Sequence, residues 1–82
     1  MKLFLISQTQ YCNEDMYDSA VVAAPDGETA RQMDPGTGEL VAVWGGPYRV
    51  WCSAPEHVGV QYLGEAAPGI EQGVVCASFN AG

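Results

Sequence analysis

The amino-acid sequence predicts an α+β fold, with one short helix on one face of a mainly antiparallel sheet of four to five strands. A continuous run of small and β-branched apolar residues at positions 20–24 has the pattern of a strand buried on both faces. The helical signal that follows it is only about two turns long, so this helix needs a sheet to lie on. Clusters of Gly and Pro separate further apolar stretches of strand length.

The first part of the chain contains two predicted strands and the loop between them. Residues 3–7 are apolar on both faces, which is typical of a central strand. Residues 8–17 have no sustained hydrophobic period and are predicted to form a long loop, a kind of segment that is usually functional or mobile in small domains. The strand at residues 20–24 follows this loop.

The helix is predicted to span residues 27–33 and has recognisable signals at both ends. Pro25 ends the preceding strand, and Asp26 is a suitable N-cap because its carboxylate accepts hydrogen bonds from the free amides of the first turn. Glu28 places a negative charge where the helix dipole favours one. Asp34 precedes a proline and ends the helix, since a residue in that position is displaced from the α region.

The second half of the chain is predicted to add the remaining strands. Residues 40–44 form a short, weak strand, which a Gly-Gly-Pro sequence then ends. Residues 58–63 alternate in hydrophobicity, which indicates a half-buried strand. Residues 74–79 form the last strand. Its two faces are predicted to carry Val75, Ala77 and Phe79 on one side and Val74, Cys76 and Ser78 on the other.

Length and charge limit the classes of function. The 82 residues form a single domain, residues 1–82, which buries only roughly 60–65% of its unfolded surface. Ten acids face three bases (Lys2, Arg31 and Arg49), and the net charge is −7. Direct binding to nucleic acid is therefore not expected, because that affinity comes mostly from cations that neutralise phosphates. An acidic surface suits a basic protein partner, or simply keeps the protein soluble.

The thin core and an exposed sheet edge favour a homodimer, because unpaired strand edges are natural templates for association. The three cysteines, Cys12, Cys52 and Cys76, show no CxxC spacing, so neither a disulfide framework nor a zinc site is expected and a reducing cytoplasm fits. The apolar run at residues 1–6 is too short for a signal-peptide core or a membrane span.

Catalytic and metal-binding patterns are weak in this chain. Cys12 or Cys52 forms a nucleophilic pair with His57 only if the fold brings the two together, and no recognised catalytic motif is present. Glu14, Asp15 and Asp18 lack the spacing of a calcium loop. We therefore expect a protein that is not an enzyme and holds neither a metal nor another cofactor.

An aromatic–arginine cluster is the most informative feature of the sequence, and it has two interpretations. In the first, the tryptophans fill a core that is otherwise made of Val and Ala. In the second, the rings stack on a ligand and Arg49 meets an anion, while Arg31 forms a surface ion pair on the helix. The second interpretation predicts a ligand-binding surface made of Arg49, Trp51, Tyr48 and Trp44, with Tyr11 and Tyr17 from the first loop.

Residues 17–31, 58–66 and 73–82 resemble small accessory proteins of tailed bacteriophages and prophages, and the resemblance covers nearly the whole chain. It implies a non-structural phage protein that works in the host cytoplasm. Small acidic proteins of this kind often oppose host defence. The resemblance supplies no catalytic or binding residues that can be carried over to this chain.

Two functions follow as expectations. The first is a counter-defence protein that binds and sequesters a nucleotide-type immune signal, such as a cyclic dinucleotide or a cyclic ADP-ribose-like molecule, without chemistry. The second is an acidic, anti-CRISPR-like inhibitor that covers a basic nucleic-acid-binding surface of a host defence protein. The aromatic–arginine cluster supports the first expectation, and the net charge supports the second.

Overall fold

A computed structural model of the chain shows a four-stranded antiparallel sheet with one short α-helix on one face, which confirms the predicted α+β fold. The structure describes residues 1–11, 15–46 and 50–80. The elements are β1 (Lys2–Ser7), β2 (Met16–Ala24), α1 (Gly27–Arg31), a 3₁₀ turn (Pro55–His57), β3 (Gly59–Glu65) and β4 (Gly73–Asn80). The strands lie in the order β3-β1-β2-β4.

Strand β1 is central, as its apolar composition predicts. It pairs with β2 on one side and with β3 on the other, and both pairs are antiparallel. Residues directly opposite each other in an antiparallel pair lie on the same face of the sheet. Phe4 is opposite Val22 and Tyr62, and Ile6 is opposite Ala20 and Val60, so these residues define one face.

The main hydrophobic core of the described residues lies on that face. Residues 25–46 and 50–58, which include α1 and which we call the covering segment, cover the face and contribute Ala30, Met33 and Trp51 to it. Ile6, Val22 and Met33 are completely buried. Within the described residues, the buried members of this core are Phe4, Ile6, Ala20, Val22, Ala24, Ala30, Met33, Trp51, Cys52 and Val58, and Met16 and Ala23 are buried outside it.

Within the described residues the helix covers only the core face of the sheet, so the prediction that the strand at residues 20–24 is covered on both faces holds only in part: Ala23, on the opposite side, is fully buried. Val21 on that side is only half-buried. The register places Leu3, Leu5, Ser7, Ser19, Val21, Ala23, Gln61, Cys76 and Ser78 there, with Gly59, Gly64 and Gly73. We call these residues the uncharged face, because none of them is acidic or basic. The run at 20–24 looked two-sided because its outward residues are also apolar.

Three strands each contain one residue that the pairing register skips, which indicates a β-bulge. These residues are Asp18 in β2, Leu63 in β3 and Val75 in β4. The bulge at Val75 puts Val74 on the same face as Ala77. The predicted division of β4 into two alternating faces is therefore wrong at Val74, because a bulge shifts the alternation by one residue.

Helix α1 begins as the sequence predicts but ends two residues earlier. The Asp26 carboxylate accepts a hydrogen bond from the backbone N–H of Thr29 at 2.7 Å, which confirms the N-cap. The helix runs from Gly27 to Arg31, and Gln32 is its C-cap. A five-residue helix satisfies few of its own backbone groups, so its place is fixed by Ala30 in the core.

The weak strand predicted at residues 40–44 is also wrong. Leu40 forms only an isolated bridge with Met33, and the N–H of Val41 donates to the carbonyl of Gln32 at 2.7 Å. Asp34 shapes the turn between them, since its carboxylate accepts from the N–H of Gly36 at 2.7 Å. Residues 32–41 therefore form a turn after the helix and not a strand, and the sheet has four strands.

The N-cap gives a testable pH dependence. The hydrogen bonds from Thr29, and then the charge of Lys2, lower the pKa of the Asp26 carboxyl below its ordinary value of 3.8. A lowered folded-state pKa contributes stability that is present above the ordinary pKa and is lost as the pH falls through the folded-state value.

Asp26→Asn keeps a capping oxygen but carries no charge. We expect the stability difference between the wild type and Asp26→Asn to become less favourable to the wild type between about pH 5 and pH 2. Urea unfolding at a series of pH values measures this difference. A difference that stays constant over the range would contradict the assignment.

Candidate functional site

The structure places Trp51 in the hydrophobic core, where it is only 4% exposed. Its ring faces therefore pack against apolar side chains and are not open to a ligand, which is the first of the two interpretations of this residue. Within the described residues its indole Nε1 has no hydrogen-bond acceptor. Trp44 is half-buried and packs against the same core from its margin.

Tyr17 lies at the start of β2, and the structure connects it with the tryptophan segment. Its backbone N–H donates to the carbonyl of Val50 at 2.8 Å. Its ring is half-buried and meets the ring of Phe79 with centroids 4.8 Å apart at an angle of 53°. Tyr17 thus closes the core at the β2–β4 side of the sheet.

Tyr11 is held by a buried glutamine. Gln8 is 5% exposed, and its side-chain amide donates to the carbonyls of Tyr11 and Tyr17 at 2.8 and 2.9 Å. Its amide oxygen accepts from the N–H of Tyr11 at 2.9 Å. Gln10 likewise binds Ser53, with its amide group 2.8 Å from the Ser53 hydroxyl. The end of the predicted loop at residues 8–17 belongs to β2, and these glutamines fix the part that precedes residue 12.

The two arginines for which the sequence predicts a role, Arg49 and Arg31, differ in what the structure shows. Arg49 and Tyr48 lie outside the described residues, and the ligand-binding roles predicted for them stay predictions. Arg31 forms the surface ion pair that the sequence predicts, with Glu28 at 3.7 Å. Its guanidinium also donates to the backbone carbonyl of Val58 at 2.5 Å, which joins the helix to the start of β3.

The candidate nucleophile Cys52 is placed for packing. It is 2% exposed, and its thiol lies 3.5 Å from the carbonyl oxygen of Ala54. Burial raises the pKa of the Cys52 thiol, which lowers the fraction of reactive thiolate. His57 lies in the 3₁₀ turn, and Cys12 is outside the described residues.

The part of the chain that the structure describes has neither a metal-binding cluster nor a membrane-spanning helix. No three His, Cys, Asp or Glu side chains in it are grouped so as to hold a metal ion. Glu14 of the acidic loop lies outside this part. Its helices are too short and too polar for any of them to cross a bilayer.

A cleft that sequence reasoning missed lies where the start of α1 meets β1 and β3. It has a volume of about 470 Å³ and is lined by Lys2, Phe4, Asp26, Gly27, Tyr62 and Glu65. Strand register creates it, because Lys2 is opposite Glu65 and Phe4 is opposite Tyr62. The N-cap Asp26 approaches from the helix side. The alternating hydrophobicity of β3 assigns Tyr62 to one face of the sheet. The sequence does not predict that Lys2 and Asp26 lie next to it.

We call this cleft the acidic cleft, because Asp26 and Glu65 are among its lining residues, and Tyr62 is an aromatic residue of the same lining. It is 54% exposed, and its ring centroid lies 5.7 Å from that of Phe4 at an angle of 59°. Its hydroxyl donates to a Glu65 carboxylate oxygen at 3.3 Å. Desolvation of the ring, and then the Glu65 carboxylate, raise the pKa of the Tyr62 hydroxyl, so it stays protonated at neutral pH.

The lining of the acidic cleft has the chemistry of a cation receptor. Asp26 and Glu65 contribute two negative charges against the single positive charge of Lys2. An exposed tyrosine face attracts a cation through its π electrons, and carboxylates bind a guanidinium through two parallel hydrogen bonds. The cleft therefore suits an arginine or lysine side chain better than a phosphate.

Comparison with known proteins gives no matching family model, no similar curated protein and no similar solved structure. The chemistry of the described residues is thus the basis for the functional proposal below.

The two tryptophans should respond differently to truncation. Replacing a fully buried tryptophan by alanine typically costs about 3–5 kcal/mol of unfolding free energy, so we expect a loss on that scale for Trp51→Ala. Trp44→Ala should cost only about 1 kcal/mol, because its ring is half-exposed. Urea unfolding of both variants measures the two losses.

Fluorescence offers a check that does not require a destabilised variant. In Trp44→Phe, the remaining Trp51 should emit at short wavelength and resist quenching by acrylamide. In Trp51→Phe, the remaining Trp44 should be quenched readily. Ready quenching of Trp51 would show that its ring is open to solvent and to ligands.

Proposed function

We propose that this chain is a phage counter-defence protein that acts in the host cytoplasm without catalysing a reaction. It binds through an acidic surface to a basic surface of a host defence protein and covers it. The observation that carries the proposal is the acidic cleft, in which two carboxylates flank the exposed ring of Tyr62. The resemblance to phage accessory proteins supports the setting, and the net charge of −7 supports the class of partner.

The acidic residues are concentrated on the helix side of the sheet. Five of the nine acids that the structure describes belong to the covering segment, and Glu65 lies at the sheet margin on the same side. The five are Asp26, Glu28, Asp34, Glu39 and Glu56. Arg31 is the described cation of this segment, and Glu28 and Val58 engage it. A basic surface is therefore attracted to one side of the molecule.

Within this acidic side, the acidic cleft supplies specificity. An arginine side chain that enters it meets Asp26 and Glu65 as hydrogen-bond acceptors and the ring of Tyr62 as a stacking surface. Arginine is the cation that suits such a site best, because its planar group matches a carboxylate and an aromatic face at once. Nucleic-acid-binding surfaces are rich in arginine, so a protein that binds them is expected to offer such receptors.

Sequestration of a nucleotide signal has less support from the described residues. A phosphate needs cationic partners, and Lys2 shares the acidic cleft with two carboxylates while Arg31 is engaged by Glu28 and Val58. The burial of Trp51 also removes one of the predicted stacking rings. The remaining support is Arg49 with Tyr48, outside the described residues, and it remains the competing outcome of the test.

The test uses a hexa-arginine peptide as a probe of the acidic cleft. We expect the double variant Asp26→Asn/Glu65→Gln to bind this peptide about tenfold more weakly than the wild type, because it removes both carboxylates of the acidic cleft and each exposed ion pair is weak by itself. The double variant Asp18→Asn/Glu71→Gln removes the same two charges away from the cleft and should lose much less. Calorimetric titration at low and physiological salt measures the affinities.

Equal losses in the two double variants would mean that the peptide senses only net charge, and the site assignment would be wrong. Parallel melting curves with cyclic dinucleotides and cyclic ADP-ribose test the competing function. A ligand at 100 times its dissociation constant adds about 2.7 kcal/mol of stability, which gives a rise of several degrees. Such a rise, together with no binding of the peptide, would replace our proposal by nucleotide sequestration.

A further inference from the structure

Strand β4 forms one edge of the sheet, and its composition is unusual for an edge. It is the last strand in the order β3-β1-β2-β4, so its outer side has no neighbouring strand within the described residues. Its eight residues, Gly73–Asn80, contain no charged residue and no proline. Edge strands of soluble proteins are normally protected by charges, by proline or by a covering segment, because free backbone groups pair with other strands.

The opposite edge differs from β4 in carrying a carboxylate. Strand β3 ends at Glu65, and the Tyr62 and Glu65 side chains occupy the margin beside the acidic cleft. Both edges contain a bulge close to a glycine with positive φ: in β3 it is Leu63 beside Gly64 (φ 145°), and in β4 it is Val75 near Gly73 (φ 153°). Large hydrophobic residues are exposed on both edges, but in β4 Val75 and Phe79, 55% and 45% exposed, lie on a strand without a carboxylate.

We propose that two copies of this chain pair through their β4 strands, antiparallel and about a two-fold axis, into one continuous eight-stranded sheet. The same edge serves both copies, so the contact is self-complementary and closes at two copies. Backbone hydrogen bonds between the two β4 strands supply the specific pairing. The exposed side chains of the strand then meet their counterparts across the new ladder.

The distribution of charge favours a second copy of this chain as the partner at the β4 edge. Each copy carries −7, so two copies avoid repulsion only where neither presents a carboxylate. The residues of β4 and of the adjoining uncharged face carry no carboxylate, and the acidic residues of the covering segment lie on the other side of the sheet; the acids nearest to β4 are Asp15, Asp18 and Glu71, beside its ends and on its β2 side. A basic partner, in turn, is drawn to that acidic side. This inference does not rest on the proposed function.

The native cysteine of β4 provides a marker for the pairing. Cys76 is exposed, in contrast to the buried Cys52. It lies at the middle of the strand, so a two-fold axis through the strand centre brings the two copies of Cys76 to within a few residues of each other.

The experiment compares lysine substitutions at matched bulge positions on the two edges. We expect the wild type to show a monomer–dimer equilibrium in the micromolar range by analytical ultracentrifugation. Val75→Lys should shift it to monomer, with a dimer dissociation constant at least about tenfold higher, since it places two like charges at the contact. Leu63→Lys adds the same charge at the exposed bulge of β3 and should leave the dimer intact.

Two further measurements keep the result unambiguous. Gln61→Lys places its charge on the uncharged face but far from β4, so it should leave an edge-paired dimer intact and break one that stacks face to face.

Mild oxidation should link wild-type copies, and Cys76→Ser should abolish the link while Cys12→Ser keeps it. Melting curves confirm that each variant is folded. The proposal would be overturned if the wild type stays monomeric at protein concentrations 100-fold above the micromolar range. It would also be overturned if Gln61→Lys dissociates the dimer and Val75→Lys does not.

Discussion

The burial of one sheet face under a thin covering segment is the interaction on which the rest of the structure depends. A five-residue helix and a 3₁₀ turn supply little regular structure above the sheet, so single large residues close the core. Met33 and Trp51 do this from the covering segment, where they meet Ile6 and Val22 of the central strands. Small residues in β2, such as Ala20 and Ala24, leave room for these two bulky side chains.

This one-sided core also separates charge. Because the covering segment connects elements through solvent-exposed turns, it can carry acids at low cost, and it carries five of those that the structure describes. The sheet residues that face away from the core are uncharged, and their burial ranges from the fully buried Ala23 to the exposed Cys76 and Ser78. The molecule therefore has an acidic side and a neutral side, and each side suits a different kind of contact.

The sequence predicts the elements of this fold well, because their signals are local. The N-cap at Asp26 and the central place of β1 follow from neighbouring residues, and both are confirmed. Bulges leave no such signal, so the faces of β4 were predicted wrongly around Val75. The burial of β2 on its outer side was predicted correctly for Ala23 but not for Val21, because an apolar run shows that residues are hydrophobic but not how far their neighbours shelter each of them.

The candidate site was harder to predict, because it depends on which strands become neighbours. The aromatic–arginine cluster stands out in the sequence, yet Trp51 is needed in the core, where a chain of Val and Ala lacks volume. The acidic cleft combines Lys2, Asp26 and Glu65 from distant parts of the chain. No spacing rule connects these residues. Only the pairing of β1 with β3 and the docking of the helix bring them together.

The order of the strands relates the acidic cleft to the proposed pairing of two copies. The cleft lies at the β3 side of the sheet and the contact at the β4 side, so neither obstructs the other. An antiparallel pairing about an axis normal to the sheet leaves both helices on the same side. Strands are about 4.8 Å apart, so the outer strands of an eight-stranded sheet are separated by roughly 34 Å. The pair would then present two arginine receptors toward one extended basic surface, and simultaneous engagement strengthens binding without any new contact within each cleft.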